Sequence, residues 1–267
     1  MQFLFDAHMH SNISSDGKSD IDEYIKVAKL KGINAIGFSE HIDFIPESGA
    51  FEYVDFASYI KRISNLRAQG LNIYAGAEIG YISDVKDQIE NHLKIYKYDY
   101  IIVSVHRINR ITISDGKTKS FANESELIWF INNYYAEVKQ SLYLKGITVL
   151  GHIGIYKRQM WQFVSQFKDA VELINRHESE IARICVKLCV TVEVNGSALF
   201  SSYKSPLADE HFLREYYNAG GRKVTIGSDA HTAENLYRGL DECIGLLKSI
   251  GFKELITPWN GEAIAII

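Results

Sequence analysis

Apolar positions follow two periods along this chain. Seven short runs are apolar almost without interruption, at 2–7, 35–39, 72–77, 100–105, 147–151, 190–194 and 223–228. Runs of this length without polar alternation fit strands covered on both faces. Between them the apolar spacing changes to three and four, the helical period. Ile21, Ile25 and Ala28 predict a first helix that stops at Gly32. Its start is Ser19 or Asp20, since Ser19 with Asp22, or Asp20 with Glu23, can close a capping box. Phe56, Ile60, Ile63 and Leu66 give a second helix, ending at Gly70, and Val85, Ile89, Leu93 and Tyr96 a third. The fourth spans about 124–144, the fifth about 162–187 and the sixth about 207–218. A last helix holds Leu240, Ile244 and Leu247, and a short tail follows Gly251. The polar loops are 11–18, one reaching about Val54, a long one at 107–123 with no predicted element, and one containing Lys157 and Arg158.

Strand then helix, seven times, predicts a parallel sheet with helices outside. No linker, low-complexity tract or repeat divides the chain, so 1–267 reads as one domain, a (β/α)-type barrel. Whether seven strands close a ring is not set by this pattern. With 46 % apolar residues the chain can bury a sizeable core. A net charge of -4 argues against a general phosphate-backbone binder, so no nucleic-acid partner is expected. Cys185, Cys189 and Cys243, without C-x-x-C spacing, fit buried thiols in a reducing compartment. No signal-type or membrane-length apolar run is present, which points to a cytoplasmic protein. The pattern sets no oligomeric state.

The chemistry lies at the strand ends. His8 and His10 follow the first predicted strand and, two apart, share one side, with Asp6 behind them. His41 follows the second strand, Glu78 the third, His106 the fourth, His152 the fifth, and Asp229 with His231 the seventh. In barrels these C-terminal ends form the active face. Neutral imidazole suits borderline-soft metals. Six imidazoles with Glu78, Asp229 and Asp16 exceed the four ligands of one zinc site, so more than one ion is implied. Two close ions clamp an in-line displacement at phosphorus, which suits phosphate-ester hydrolysis. His92, His177 and His211 fall in helical segments and read as surface or packing residues.

These residues sit in recognisable motifs: Asp6-Ala7-His8-Met9-His10, Phe38-Ser39-Glu40-His41, Gly76-Ala77-Glu78-Ile79-Gly80-Tyr81, Ser104-Val105-His106, Gly151-His152 and Gly227-Ser228-Asp229-Ala230-His231. In this order the chain resembles the polymerase and histidinol phosphatase (PHP) superfamily, and most of all its histidinol-phosphate phosphatase branch. The resemblance implies a distorted single-domain (β/α)7 barrel with three divalent ions, zinc, iron or manganese. It implies His8, His10, Glu78 and Asp229 for one ion, Asp16, His41 and His231 for a second, and Glu78, His106 and His152 for a third. Glu78 would bridge, and Glu78, Asp229 and His231 are the expected catalytic residues.

The implied reaction is hydrolysis of L-histidinol phosphate, a small phosphate monoester, to L-histidinol and phosphate by metal-activated hydroxide. The alternatives are a nuclease or nucleotide phosphatase of the same superfamily, or a metal-binding regulatory module without catalysis. Arg158 matches an arginine that relatives carry after their Gly-His pair and is the expected phosphate donor; a solvated cation beside Lys157 is the other reading. Arg107 and Arg110 are its substitutes. Asn195 is read as a substrate-lining residue or a simple cap, Glu40 as structural support, and Glu193 has no assigned role. The 107–123 loop is expected to cover the site.

Overall fold

The computed structural model describes residues 3–114, 121 and 123–266. Its first half runs β1 (Phe5–Asp6), α1 (Ile21–Lys31), β2 (Ala35–Ile42), α2 (Phe56–Ala68), β3 (Ile73–Gly80), α3 (Lys86–Ile95) and β4 (Tyr100–Ser104). Then come β5 (Arg107–Ile108), β6 (Ile111–Thr112), α4 (Glu124–Ser141), β7 (Val149–Leu150), α5 (Lys157–Val164) and α6 (Lys168–Leu188). The chain ends with β8 (Thr191–Asn195), α7 (Glu210–Asn218), β9 (Val224–Gly227), α8 (Leu240–Ile250), β10 (Glu254–Ile256) and β11 (Ala263–Ala265).

Seven parallel strands form one sheet in the order β1-β2-β3-β4-β7-β8-β9, which is also their chain order. The sheet curls into a nearly closed barrel. Past the end of β1 the seam is bridged by Asp229 N–H to His8 O and His10 N–H to Ala230 O, both 2.8 Å. Asp6 staples the same seam: its carboxylate accepts from Ser228 N–H and Oγ–H, from Tyr237 N–H and from His8 N–H. The far end of the barrel is filled by aromatics. Trp259, in the turn of the β10–β11 hairpin, stacks on Tyr74 and meets the edges of Phe5 and Tyr100. The predicted short tail is therefore a hairpin that caps the core.

Strand 2 and strand 3 outrun their apolar stretches. β2 continues to Ile42 and β3 to Gly80, so His41 and Glu78 lie within the ladder and are register partners. Backbone hydrogen bonding continues under the polar side chains, which apolar periodicity does not register. Of the two possible starts for the first helix, Asp20 is the cap: Asp22 N–H donates to it and Glu23 returns a bond to its backbone.

Three segments differ from the reading of the sequence. The 107–123 loop contains the β5–β6 hairpin, whose turn residues Asn109 and Arg110 have φ of 46° and 64°. Two left-handed residues are what a tight two-residue hairpin requires. Residues 115–120 and 122 of that loop lie outside the described residues. The helix predicted at 162–187 is two helices. Phe167 adopts extended backbone, which turns the chain so that Met160 and Val164 of α5 and Ala170 and Ile174 of α6 all reach the core. Lys157 and Arg158 thus open a helix and do not sit in a loop. Helix α7 starts after Asp209, later than predicted, because Leu207 is tied to Asn195 by backbone hydrogen bonds.

Cys185 and Cys243 are buried as expected, whereas Cys189 takes the left-handed cap of α6 and is exposed. Among the described residues no helix is long and apolar enough to cross a membrane.

Candidate metal centre

The eight strand-end residues and Asp16 of the 11–18 loop meet at one end of the barrel. Glu78 is their hub and is fully buried. Its Oε1 lies 2.6 Å from His152 Nε2 and 3.1 Å from His106 Nε2. Its Oε2 lies 2.9 Å from His41 Nδ1 and 3.4 Å from the Nε2 atoms of both His8 and His10. Asp229 closes the other flank: its Oδ1 is 3.4 Å from His10 Nε2 and 3.7 Å from His8 Nε2. Asp229 has φ of 57°, a left-handed conformation that Asp tolerates and that follows directly on the seam bond to His8. Asp16, half exposed, stands between His41 Nε2 at 3.3 Å and His231 Nε2 at 3.2 Å.

Within this cluster three groups each have ligand atoms within 4.8 Å of one another: His8, His10 and Asp229; His10, His41 and His231; and His8, Glu78 and His152. A metal fits here on the state of the donor atoms. His8 Nε2, both nitrogens of His10, Glu78 Oε2 and His152 Nδ1 are buried without a hydrogen-bond partner. Uncompensated buried polar atoms are costly, and a cation shared among such donors would satisfy them. The donor set, imidazole and carboxylate without thiolate, suits zinc, iron or manganese.

The electrostatics agree. Burial opposes charge on Glu78, yet His106, His8, His41 and His152 hold its carboxyl well below the usual carboxylate range. Asp229 is likewise depressed against burial, by His10, His8 and His231. Asp16 is lowered by His231 and His41 despite its own desolvation. Burial and the neighbouring His41 and His231 push His10 well below the ordinary imidazole value. His8 and His41 are driven the other way, against burial, chiefly by Glu193 and Glu78 for the first and by Glu78 and Asp16 for the second.

A cleft of about 300 Å³ opens above the cluster. Arg158 and Arg107 both line it. Arg158 donates from Nη2 to Ser114 O at 3.0 Å, and its Nη1 lies 3.6 Å from Asp229 Oδ2. Arg107 donates from Nη1 to Asp43 Oδ2 at 2.8 Å. The Nε of each arginine is buried and unpartnered. Arg110 stays at the hairpin tip, beside Glu47 and Asp84, and is not among the lining residues. Asn195 is fully buried and is not among the lining residues; its Oδ1 accepts from Ser197 N–H and Oγ–H. His92 packs in an aromatic group with Phe44, Phe56 and Tyr98, and His177 stacks on Tyr135.

The sequence reading missed Asp43 and left Glu193 without a role. Asp43 stands two residues past His41, in extended backbone just beyond the end of β2, and that spacing was the available signal. It also receives Ser48 Oγ–H and covers bare Gly80, where a methyl group would collide with it. Glu40 is support, as expected. Its two oxygens accept from Ser11 N–H, Ser11 Oγ–H and Ser14 Oγ–H, fixing the loop that presents Asp16.

Comparison with known proteins matches the PHP domain family over residues 6–195. The chain is 24% identical to a probable histidinol-phosphatase of Clostridium acetobutylicum over 256 residues, covering 94% of this chain and 95% of that one. It is 26% identical to the histidinol-phosphatase of Lactococcus lactis, over 94% of this chain and 93% of that one. The crystal structure of histidinol phosphate phosphatase from Lactococcus lactis, complexed with zinc, L-histidinol and phosphate, superposes with a TM-score of 0.80. It covers 97% of this chain and 98% of that one at 22% identity, a likeness of fold.

Proposed function

We propose that this chain, which belongs to the PHP domain family, is a metal-dependent phosphatase whose substrate is L-histidinol phosphate. The observation that carries the reading is the sharing of Asp229: one oxygen faces the imidazole cluster and the other faces Arg158. A phosphoryl group at that point would meet the metal donors and a guanidinium at once. The named relatives support histidinol phosphate over other monoesters.

Three divalent ions would be held by His8, His10, Glu78 and Asp229, by Asp16, His41 and His231, and by Glu78, His106 and His152. Bound there, divalent ions supply Lewis-acid stabilisation of phosphoryl oxygens and lower the pKa of water. The chain does the rest. Arg158 presents a planar fork of donors, suited to two oxygens of one phosphate. Asp43, itself bonded by Ser48, holds Arg107 at the cleft wall. Glu40 keeps the 11–17 loop, and with it Asp16, over the cluster. No Ser or Cys nucleophile is required. The small cleft, walled by the β5–β6 hairpin, favours a small monoester over a polymer.

The test is phosphate release from histidinol phosphate, a nucleoside monophosphate and single-stranded DNA, assayed side by side with zinc or manganese. Preferential hydrolysis of histidinol phosphate is expected. Preference for either nucleic-acid substrate would transfer the chain to the nuclease or nucleotide phosphatase reading, and no release from any would leave a binding module.

A further inference from the structure

Strand β8 carries Glu193 inside the barrel, directly beneath the metal centre and 1% exposed. Its Oε1 lies 2.6 Å from His8 Nδ1, and its Oε2 accepts from the backbone N–H of His152 at 2.8 Å. The first contact engages His8 Nδ1 and leaves Nε2 as the ring nitrogen that points into the centre. That Nε2 is one of the buried atoms without a hydrogen-bond partner, and it faces Glu78 and Asp229.

No other imidazole of the centre shows this arrangement among the described residues. His10 has neither nitrogen bonded. Both nitrogens of His41 face carboxylates of the cluster itself. His231 Nδ1 meets the backbone oxygen of Asp229 at 2.9 Å and lies 3.8 Å from that residue's Oδ1, again a carboxylate of the cluster. The neighbouring strand is shaped around the pair. A methyl group on Gly227 would collide with both Glu193 Oε1 and His8 Cβ, so a bare glycine is what lets the carboxylate reach the ring.

We infer that Glu193 is a positioning residue of the metal centre, fixing His8 as an Nε2 donor with one oxygen and the backbone of His152 with the other. The inference rests on the metal-centre reading above. A carboxylate behind a ligating imidazole sets its tautomer and orientation and raises its basicity. One carboxylate here governs ligands from two different strand ends, β1 and β7.

The experiment is zinc binding by the full chain, followed by competition with a chromogenic chelator, for wild type, Glu193→Gln, His8→Ala and the double variant. Glu193→Gln should weaken zinc binding by roughly 10–100-fold, the usual effect of losing such a partner. In the His8→Ala background the same change should matter less than threefold, because the His8 contact is gone and the glutamine oxygen can still accept from the His152 N–H. Glu193→Asp, which keeps the charge but draws it back by a methylene, carries the same comparison if Glu193→Gln does not fold. Wild-type affinity in Glu193→Gln, or an equal loss with and without His8, would overturn the inference while leaving the centre intact. Failure of the wild type itself to bind zinc would instead overturn the metal-centre reading, and this inference with it.

Discussion

Nη1 of Arg158 lies 3.6 Å from Oδ2 of Asp229, the carboxylate oxygen opposite the one that faces His10 and His8. The guanidinium is thus placed beside the metal donors without being one of them. Arg158→Ala should lower kcat/KM by roughly tenfold to a thousandfold, since a charge-assisted contact is worth about 1.5–3 kcal/mol and a transition-state contact somewhat more. Metal content should be unchanged. Arg158→Lys should recover only part of the loss, because a point charge replaces the fork. Steady-state kinetics with metal analysis on the same samples check this, and wild-type kinetics in Arg158→Ala would pass the role to Arg107.

Glu78 touches five imidazoles with its two oxygens. Glu78→Ala should reduce turnover by more than the roughly 10–100-fold typical of losing a supporting partner, with fewer ions per chain. Elemental analysis that finds wild-type metal content in this variant would remove Glu78 as a bridge.

Chelation should abolish activity, and added zinc or manganese should restore it. Metal binding displaces protons from imidazole. Glu193 and Glu78 hold His8 well above the ordinary imidazole value against burial, so its proton is harder to displace as pH falls. Zinc affinity should therefore be tighter at pH 8 than at pH 6. Equal affinities at the two pH values would contradict this. Loading should also stabilise the fold, by about 2.7 kcal/mol at a free metal concentration one hundred times Kd, readable as a rise in Tm.

Lys157 lies beside Arg158 but faces inward, 2.7 Å from Glu178 Oε1 and 2.6 Å from Asp209 Oδ2. Lys157→Met would leave two buried carboxyl groups without their cation, which should cost about 3–5 kcal/mol in denaturant unfolding. Burial alone would raise the Asp209 carboxyl, but Lys157 and Tyr203 bring it down to about 2 from an ordinary value of 3.8. A depressed carboxyl stabilises the fold above its unfolded value and ceases to do so as pH falls through its folded value. The wild type should lose this contribution between about pH 4 and pH 2, and Lys157→Met should lose less over that window.

Arg107 opens the β5–β6 hairpin, which lends Thr112 to the cleft wall and continues into Ser114. Arg107→Ala frees Asp43 and loosens that wall. KM should rise by roughly tenfold, the scale of one charge-assisted hydrogen bond, with kcat changed much less. An unchanged KM would make the hairpin a surface feature and not a cover.

The strand-end rule made the metal centre legible because barrel strands all point their C-termini to one face. Knowing that His106 and His152 end different strands is enough to place them together. The same rule does not reach residues that act through others. Glu193 lies mid-strand, where an inward side chain reads the same whether it packs, hydrogen-bonds or supports a ligand. Arg158 was legible as a residue near the site, but not its place in the first turn of a helix. That depends on Phe167 breaking the helical run so that two apolar faces reach one core.

The sequence by itself determined the order of strands and helices, the face on which the cluster sits and the residues that make it up, because alternation of buried strands and amphipathic helices is a local property of the chain. Only the tertiary structure decided which atoms meet. The seam from His8 to Asp229 joins residues 221 positions apart, and the bond from His8 to Glu193 spans 185. Such contacts follow from the curvature of the whole sheet and the space left at Gly227, which no local pattern encodes.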